Sequence, residues 1–187
     1  MKRFTMVACL AIVLFTSSAF AQIRALSVGG GVDLPTGTFG NFAGTGFGAN
    51  VRAFYEHEGL DNILLTGSIG FYSFGAKEYG FFGLTSGLEY KWTVLPITSG
   101  GRYYFGEQDA KTRPFVGGEV GIHIFSVSLQ GEDNTFGETA LAGSTEFALV
   151  PMVGVQLGAL DLYAEYSLSE FNYFGFKGAF KFSVGKK

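Results

Sequence analysis

Apolar and polar side chains alternate along eight segments of this chain, with the two-residue period of a β-strand whose faces have different surroundings. Aromatic residues favour strands and glycine is a poor helix former, and the 187 residues include 21 Phe, 9 Tyr and 29 Gly. Convincing helical periodicity is missing. The sequence therefore predicts an all-β fold, with strands over roughly 24–34, 46–57, 62–74, 88–105, 113–127, 145–157, 160–168 and 172–184.

The connections between these segments differ in length. Three are long, near 35–45, 75–87 and 128–144. The others are short, at 58–61, 106–112, 158–159 and, on the long side, 169–171. Tight turns at one rim and longer loops at the other are typical of up-and-down barrels. This asymmetry predicts an eight-stranded antiparallel up-and-down barrel.

The charged residues of the strands collect on one face, and no charge lies mid-strand on the apolar face. A base facing lipid at the bilayer midplane would cost about 2–4 kcal/mol, so a transmembrane barrel needs such a clean outer face. The lumen of an eight-stranded barrel is just wide enough for side chains, and near-balanced charges can pair there. We expect a lumenal charge network of Arg52, Glu56, Glu89, Lys91, Arg102, Glu119, His123, Glu146, Asp161, Glu165, Lys177 and Lys181, with Asp33 and Arg113 on the same polar faces.

A soluble sheet shows the same period, so alternation alone does not say which face is wet. A soluble secreted β-barrel or sandwich is therefore the alternative fold. Strand four also allows two interpretations, because its phase shifts beyond Leu95 and Pro96. We favour a β-bulge at Pro96, which would restore the facing, over a break into two short strands.

The first 21 residues have the pattern of a secretory signal peptide. A positive start, Met1-Lys2-Arg3, precedes an apolar run that is too short to span a bilayer, and Ala19-Phe20-Ala21 fits a cleavage site. Residues 1–21 are thus expected to be removed after Ala21, and residues 22–187 to form one barrel domain. The single cysteine, Cys9, would leave with the signal peptide.

Several segments resemble the outer-membrane β-barrel domain family, often labelled the porin family. They are the opening stretch 28–40 (VGGGVDLPTGTFG), the segment 94–98 (VLPIT) leading to 102–105 (RYYF), and 113–118 (RPFVGG). The family is similar in architecture to the transmembrane domain of OmpA. The resemblance implies a bacterial cell outer membrane location with periplasmic termini. It also implies contact with outer-membrane lipid and lipopolysaccharide, and with the barrel-assembly machinery during insertion.

No pattern in the sequence predicts catalysis or a cofactor. A formal net charge of −3 offers no basic surface for nucleic acid, and the glycine clusters match neither a dinucleotide fingerprint nor a P-loop. His123 lacks the His-x-Ser spacing of an outer-membrane deacylase, so we favour a lumenal hydrogen-bonding role. The cluster at 56–61 (EHEGLD) and the acidic loop at 130–138 are better explained as a solvated turn and a solvated loop than as cation sites.

We therefore expect a non-enzymatic, structural or surface-interaction outer-membrane barrel with no cofactor. The aromatic residues Tyr55, Phe71, Trp92, Tyr103, Phe105, Phe147, Tyr166, Phe174 and Phe182 would form its interface girdles. Two alternatives stay open. One is a narrow pore for ions or small solutes, and the other is a lipid-modifying enzyme.

Overall fold

The computed structural model describes residues 23–57, 59–60, 62–76, 88–131 and 139–184, with side chains except at 76, 88–90, 129–131 and 139–142. The expected signal peptide, 1–21, lies outside them. Within the described part of the chain, no helix is long and apolar enough to cross a membrane. The elements are β1 (Ile23–Pro35), α1 (Phe39–Phe42), β2 (Ala43–Glu56), β3 (Ile63–Ala76), β4 (Leu88–Tyr104), β5 (Thr112–Gly131), β6 (Thr139–Leu157), β7 (Leu160–Ser167) and β8 (Tyr173–Ser183).

The eight strands form a closed barrel in which each strand pairs with the next along the chain. Every pairing is antiparallel, and the barrel closes between β1 and β8, where Val28 lies opposite Phe180. Closure pairs the backbone of the first and last strands, so no sheet edge is left open. The predicted eight-stranded antiparallel up-and-down barrel is confirmed.

The two ends of the barrel differ, and we call them the turn rim and the loop rim. The turn rim carries both ends of the described chain and the connections 57–62, 105–111 and 158–159. The loop rim carries 36–42, which contains α1, and the connection 168–172. The longer connections of this rim, 77–87 and 132–138, lie outside the described residues.

The apolar face of the sheet points outward, as the alternation predicts. Phe47, Phe71 and Phe147 on this face are 62%, 55% and 70% exposed, although they are large and apolar. On the other face, Arg52, Glu119 and Lys177 are almost completely buried. This arrangement is the reverse of a soluble β-barrel or sandwich, which would bury its aromatic side chains and expose its charges.

Glycines on the inner face allow the wall to curve tightly. A Cβ atom at Gly31 would lie 2.0 Å from the carbonyl oxygen of Phe176, and one at Gly100 would lie 2.0 Å from that of Gly118. Neither position can accept a side chain without moving the neighbouring strand. These glycines therefore set how closely adjacent backbones approach on the inside of the barrel.

Strand β4 is neither bulged nor broken at Pro96, so both interpretations from the sequence are wrong. Its register with β5 runs without a shift, with Leu95, Pro96 and Ile97 opposite Ile124, His123 and Ile122. Even-numbered residues face inward from Trp92 to Tyr104, where the side chains are described. The sequence pattern suggested a phase shift because Trp92 and Val94, although apolar, point into the lumen near the loop rim.

Candidate functional site in the barrel lumen

The middle of the lumen is occupied by an ion pair between opposite walls. Arg52 on β2 donates two hydrogen bonds to the carboxylate of Glu119 on β5, with Nε to Oε1 at 2.8 Å and Nη2 to Oε2 at 3.3 Å. Arg52 Nη1 also donates to the hydroxyl of Tyr163 at 2.9 Å. Both partners of the ion pair are 2% exposed. A two-point contact of this kind fixes the relative position of the two walls.

Three hydroxyl groups complete the surroundings of the Glu119 carboxylate. Thr66 donates to Oε1 at 2.8 Å, while Ser68 and Thr98 donate to Oε2 at 3.0 Å and 2.7 Å. The donors come from β3 and β4, which lie between β2 and β5 in the wall. A buried carboxylate with five donors keeps most of the hydrogen bonding that it would have in water, which offsets the cost of burial.

A second pair lies between the strands at the closure of the barrel. Lys177 Nζ on β8 donates to both oxygens of Asp33 on β1, at 2.6 Å and 2.5 Å. Glu165 on β7 approaches the same ammonium group to 3.8 Å, and the Tyr72 ring centroid lies 3.7 Å from it. One buried lysine thus neutralises part of the charge of two acids.

A third pair lies nearer the turn rim and is packed among aromatic rings. Arg102 on β4 donates to Asp161 on β7 at 2.9 Å, and both side chains are fully buried. The guanidinium carbon lies 5.3, 4.4 and 4.8 Å from the ring centroids of Phe54, Phe115 and Tyr163. Cation–π contacts add to the ion pair in a place from which water is displaced.

Aromatic side chains fill the lumen next to the loop rim. Helix α1 inserts Phe39, which is 1% exposed, among rings from several strands. Its ring centroid lies 5.2 to 6.3 Å from those of Phe74, Trp92, Phe125 and Phe171, in edge-to-face geometry. We call these five residues the aromatic plug. Together with the ion pairs, it occupies the lumen with side chains from one rim toward the other.

His123 lies between the ion pairs and the aromatic plug. Its Nδ1 is 3.3 Å from the hydroxyl of Ser167, and its ring stacks on Tyr173 at 5.9 Å. The side chain is 1% exposed, so a substrate outside the barrel has no contact with it. The geometry fits the expected hydrogen-bonding role in the lumen. Glu146 lies opposite His123 on β6, but within the described part of the chain no carboxylate hydrogen-bonds the imidazole to orient it for catalysis.

The lumen opens at the turn rim into a polar cavity of about 150 Å³. Lys181 lies in its wall and donates to the hydroxyl of Tyr104 at 3.1 Å and to Gln156 Oε1 at 3.3 Å. Arg113 donates to Asn62 Oδ1 at 3.0 Å. Glu56 also lines this cavity and pairs with Arg24. We call it the turn-rim cavity.

The structure distributes the twelve residues expected in the charge network over different environments. Seven lie buried in the lumen: Arg52, Arg102, Glu119, His123, Asp161, Glu165 and Lys177. Glu56 and Lys181 lie at the turn-rim cavity, and Glu146 is half-buried at an inward position opposite His123. Asp33 and Arg113, from the same polar faces, also point inward.

The two remaining residues belong to β4. Lys91 falls at an outward position near the loop rim, contrary to expectation, because β4 keeps a single phase. The side chain of Glu89 lies outside the described residues. Trp92, expected in an outer girdle, belongs instead to the aromatic plug. In the described part of the chain no cluster of three His, Cys, Asp or Glu side chains could hold a metal. Glu58 and Asp61 of the 56–61 cluster and loop residues 132–138 are not in that part.

Sequence reasoning missed the aromatic residues of the inner face. Phe54, Phe74, Phe115 and Phe125 share the inward phase with charged neighbours on the same strands, and all four are buried. Strict period-two counting from those neighbours would have placed them inside. Phe39 had no such signal, because it lies in a glycine-rich loop rather than in a strand.

Comparison with solved structures identifies the architecture. Neisserial surface protein A matches with a TM-score of 0.54 at 12% identity, over 87% of this chain and 97% of that one. Ail, the attachment invasion locus protein of Yersinia pestis, in complex with the heparin analogue sucrose octasulfate, matches with 0.50 at 13% identity, over 86% and 99%. The outer membrane enzyme PagL matches with 0.46 at 12% identity, over 86% and 99%.

No protein-family model matches the sequence, and no curated protein matches it significantly. At these identities the structural matches carry information about the fold, which they share over nearly their full length. The strand number and the closure agree with them. The chain therefore has the fold of the eight-stranded β-barrels of the bacterial outer membrane.

Proposed function

We propose that this protein is a bacterial outer-membrane barrel with a sealed lumen, which serves as a structural scaffold whose loop rim is available for contacts at the cell surface. The single observation that carries the proposal is the inversion of the barrel: apolar side chains cover its outside and ion pairs fill its inside. Only a hydrocarbon environment makes that inversion favourable.

The outer face supplies the driving force for membrane insertion. Val120, Ile122 and Ile124 follow one another on the outside of β5 and are each about 40% exposed. Burial of apolar surface contributes roughly 25 cal/mol per Å² when the surface is removed from water. Summed over eight strands, this contribution favours a bilayer over solvent. Outer-membrane lipid and lipopolysaccharide are therefore the partners that we propose for this face.

A sealed lumen argues for the structural role over the narrow pore. An ion crossing the barrel would have to pass the Arg52–Glu119 pair and then Phe39, each almost completely buried. Opening either would leave a buried charge unpaired or break an aromatic cluster. Both changes cost several kcal/mol, so a conducting state would be rarely populated.

The protein is proposed not to be an enzyme. Of its two histidines, His123 is enclosed in the lumen and His57 lies in an exposed turn, stacked on Tyr55. Lipid-modifying chemistry needs a base that reaches a lipid from the outer face or the rim, together with a positioned nucleophile. The Ser167 hydroxyl beside His123 faces the lumen and is fully buried.

Surface contact is proposed for the loop rim because it carries the longer connections. With the termini on the turn rim, export through the periplasm would leave the termini periplasmic and the loop rim outside. Among the similar structures, one is named a surface protein and another the attachment invasion locus protein. Which molecule the loops of this chain contact is set by their own residues.

Cell fractionation tests the location. We expect the protein in the outer-membrane fraction, soluble only in detergent, with a mobility on a detergent gel that changes on heating. Recovery in the soluble periplasmic fraction without detergent would contradict the proposal. Deleting residues 1–21 is expected to keep the protein inside the cell, which provides a matched control for export.

Planar-bilayer recording tests the sealed lumen. The purified protein is expected to give no single-channel current. If current does appear, Arg102→Ala decides its origin, because a lumenal pathway would change its conductance, whereas leakage around the barrel would not. A steady current whose conductance changes in Arg102→Ala would contradict the structural role and favour the narrow pore. Lipid A mass spectra that change on overexpression in a His123-dependent way would favour the enzyme.

A further inference from the structure

The turn-rim cavity contains two bases that differ from the other bases of the lumen. Arg52, Arg102 and Lys177 each have a carboxylate within hydrogen-bonding distance. Among the residues that the structure describes, Lys181 and Arg113 hydrogen-bond only neutral oxygens, namely those of Tyr104, Gln156 and Asn62, and they otherwise lie over the rings of Phe54 and Tyr104.

Among the described residues, the charges around this cavity do not balance. Four bases and two acids lie together: Arg24 pairs with Glu56 and Arg102 with Asp161, whereas Lys181 and Arg113 have no acid within 4 Å in the described part of the chain. The Asp161 carboxylate attracts the charge of Lys181 through space, whereas Arg102, Arg113 and Arg24 all repel it. Among the residues that the structure describes, the other Asp, Glu, Lys and Arg side chains in the turns of this rim, Glu107, Asp109 and Lys111, are exposed and do not line the cavity.

The donors have the chemistry that oxyanions require. An ammonium group has three hydrogen-bond donors, and Lys181 uses two of them on Tyr104 and Gln156. Arg113 is held over the Tyr104 ring at 4.8 Å, and it is 9% exposed. A cavity of about 150 Å³ has room for an ion of the size of phosphate, since one water molecule takes about 30 Å³ in the liquid.

We infer that the turn-rim cavity binds an oxyanion of the phosphate type, between the side chains of Lys181 and Arg113. Such an ion neutralises the excess positive charge and accepts hydrogen bonds from both bases. The anion can be a free ion or the phosphate of a lipid headgroup at the membrane surface. The inference rests on the proposed function only for the compartment from which the anion comes.

Calorimetric titration of inorganic phosphate into the purified full-length protein tests the site. The protein is kept in a neutral, phosphate-free detergent, with chloride holding the ionic strength constant. We expect saturable binding of one phosphate, weakened at least tenfold by Lys181→Gln and by Arg113→Gln. Lys111→Gln, which removes the same charge from the same rim outside the cavity, is expected to change the affinity less than twofold.

A lipid competitor identifies the source of the anion. Dihexanoyl phosphatidylglycerol, kept below its micelle concentration, is added to the phosphate complex. If the lipid displaces phosphate at a concentration lower than the phosphate concentration needed to fill the site, the site binds a lipid headgroup. If the lipid does not displace phosphate, the site binds a free ion. Both outcomes keep the oxyanion site.

Two results would overturn the inference. One is the absence of saturable phosphate binding to the unaltered protein. The other is equal affinity of Lys181→Gln, Arg113→Gln and Lys111→Gln in proteins whose heat-dependent gel mobility shows a folded barrel. Because binding is measured on purified protein, either result leaves the outer-membrane proposal intact. Failure of fractionation would in turn leave the binding result unaffected.

Discussion

The middle of the lumen and its end at the loop rim are filled by opposite chemistry. In the middle, Arg52 and Glu119 are paired and 2% exposed. At the loop rim, Phe39 and Phe74 are packed and at most 1% exposed. The side chains of both regions that come from strands share the inward phase. Whether a strand residue points inward therefore depends on its position in the strand and not on its polarity.

The difference follows from what reaches the axis of the barrel at each level. In the middle, only strands surround the lumen, and long charged side chains from opposite walls meet across it. At the loop rim, α1 brings Phe39 to the axis, and the surrounding walls supply rings to pack against it. A charge opposite Phe39 would be desolvated without a partner, which is costly.

The largest effect is expected for breaking the central ion pair. Glu119→Ala leaves Arg52 buried without its acid and is expected to lower the free energy of unfolding by about 3–5 kcal/mol. Urea unfolding of the barrel in lipid vesicles, followed by gel mobility, measures it. The double variant Arg52→Met/Glu119→Leu removes both charges and should lose clearly less. Equal losses would mean that size, and not charge, matters in the middle.

The second-largest loss in the free energy of unfolding is expected when the central ring of the aromatic plug is removed. Phe39→Ala deletes a buried ring, and we expect a loss of about 3 kcal/mol, at the low end for such changes because a loop can partly collapse into the space. Phe42→Ala, in the same helix but with 39% of the residue exposed, is the matched control. A similar loss in both variants would show that the helix, and not the buried ring, stabilises this end.

A smaller effect is expected where the two regions meet. Ser167→Ala removes the hydroxyl 3.3 Å from His123 Nδ1 and leaves a buried ring nitrogen without that partner. The expected loss is about 1 kcal/mol in the same urea experiment. Ser99→Ala, on the outer face of β4, should change stability by less than about 0.5 kcal/mol. If the two variants were equally stable, the hydrogen bond between Ser167 and His123 would not contribute to stability.

Fluorescence quenching tests the inward position of Trp92 on the folded protein, without unfolding it. Trp92 is the single tryptophan of the chain. Because it faces the lumen, brominated lipids are expected to quench it weakly. In the variant Trp92→Phe/Thr93→Trp, the fluorophore moves to the neighbouring outward position at the same level and should be quenched more strongly. Stronger quenching at position 92 would show that Trp92 faces the lipid and would favour the β-bulge at Pro96 after all.

The strands could be predicted from the sequence because a polar side chain that faces lipid is energetically costly, so that apolar and polar residues alternate along them. The predicted segment 24–34 is one residue shorter at each end than Ile23–Pro35, and the predicted segment 160–168 is one residue longer than Leu160–Ser167. The predicted segment 113–127 ends four residues before the strand Thr112–Gly131 does, and the predicted segment 145–157 begins six residues after the start of Thr139–Leu157. Backbone hydrogen bonding continues there beyond the strictly alternating stretch, so the sequence pattern ends before the strands do.

The partners of the charged residues were out of reach of the sequence. Arg52 and Glu119 are 67 positions apart and come from strands that are not neighbours in the wall. Which acid meets which base depends on the stagger of the strands and on the width of the closed barrel. The same holds for Lys177, whose partner Asp33 is 144 positions away and becomes adjacent only when β8 pairs with β1.

The sequence by itself determined the eight strands, the facing of all of them except β4, and which face carries the charges, because each strand residue meets either lipid or the lumen. Only the tertiary structure decided the single phase of β4, the entry of Phe39 and the pairing of Arg52 with Glu119. Those features depend on where closure places distant side chains along the axis, and a two-residue period carries no information about height in the barrel.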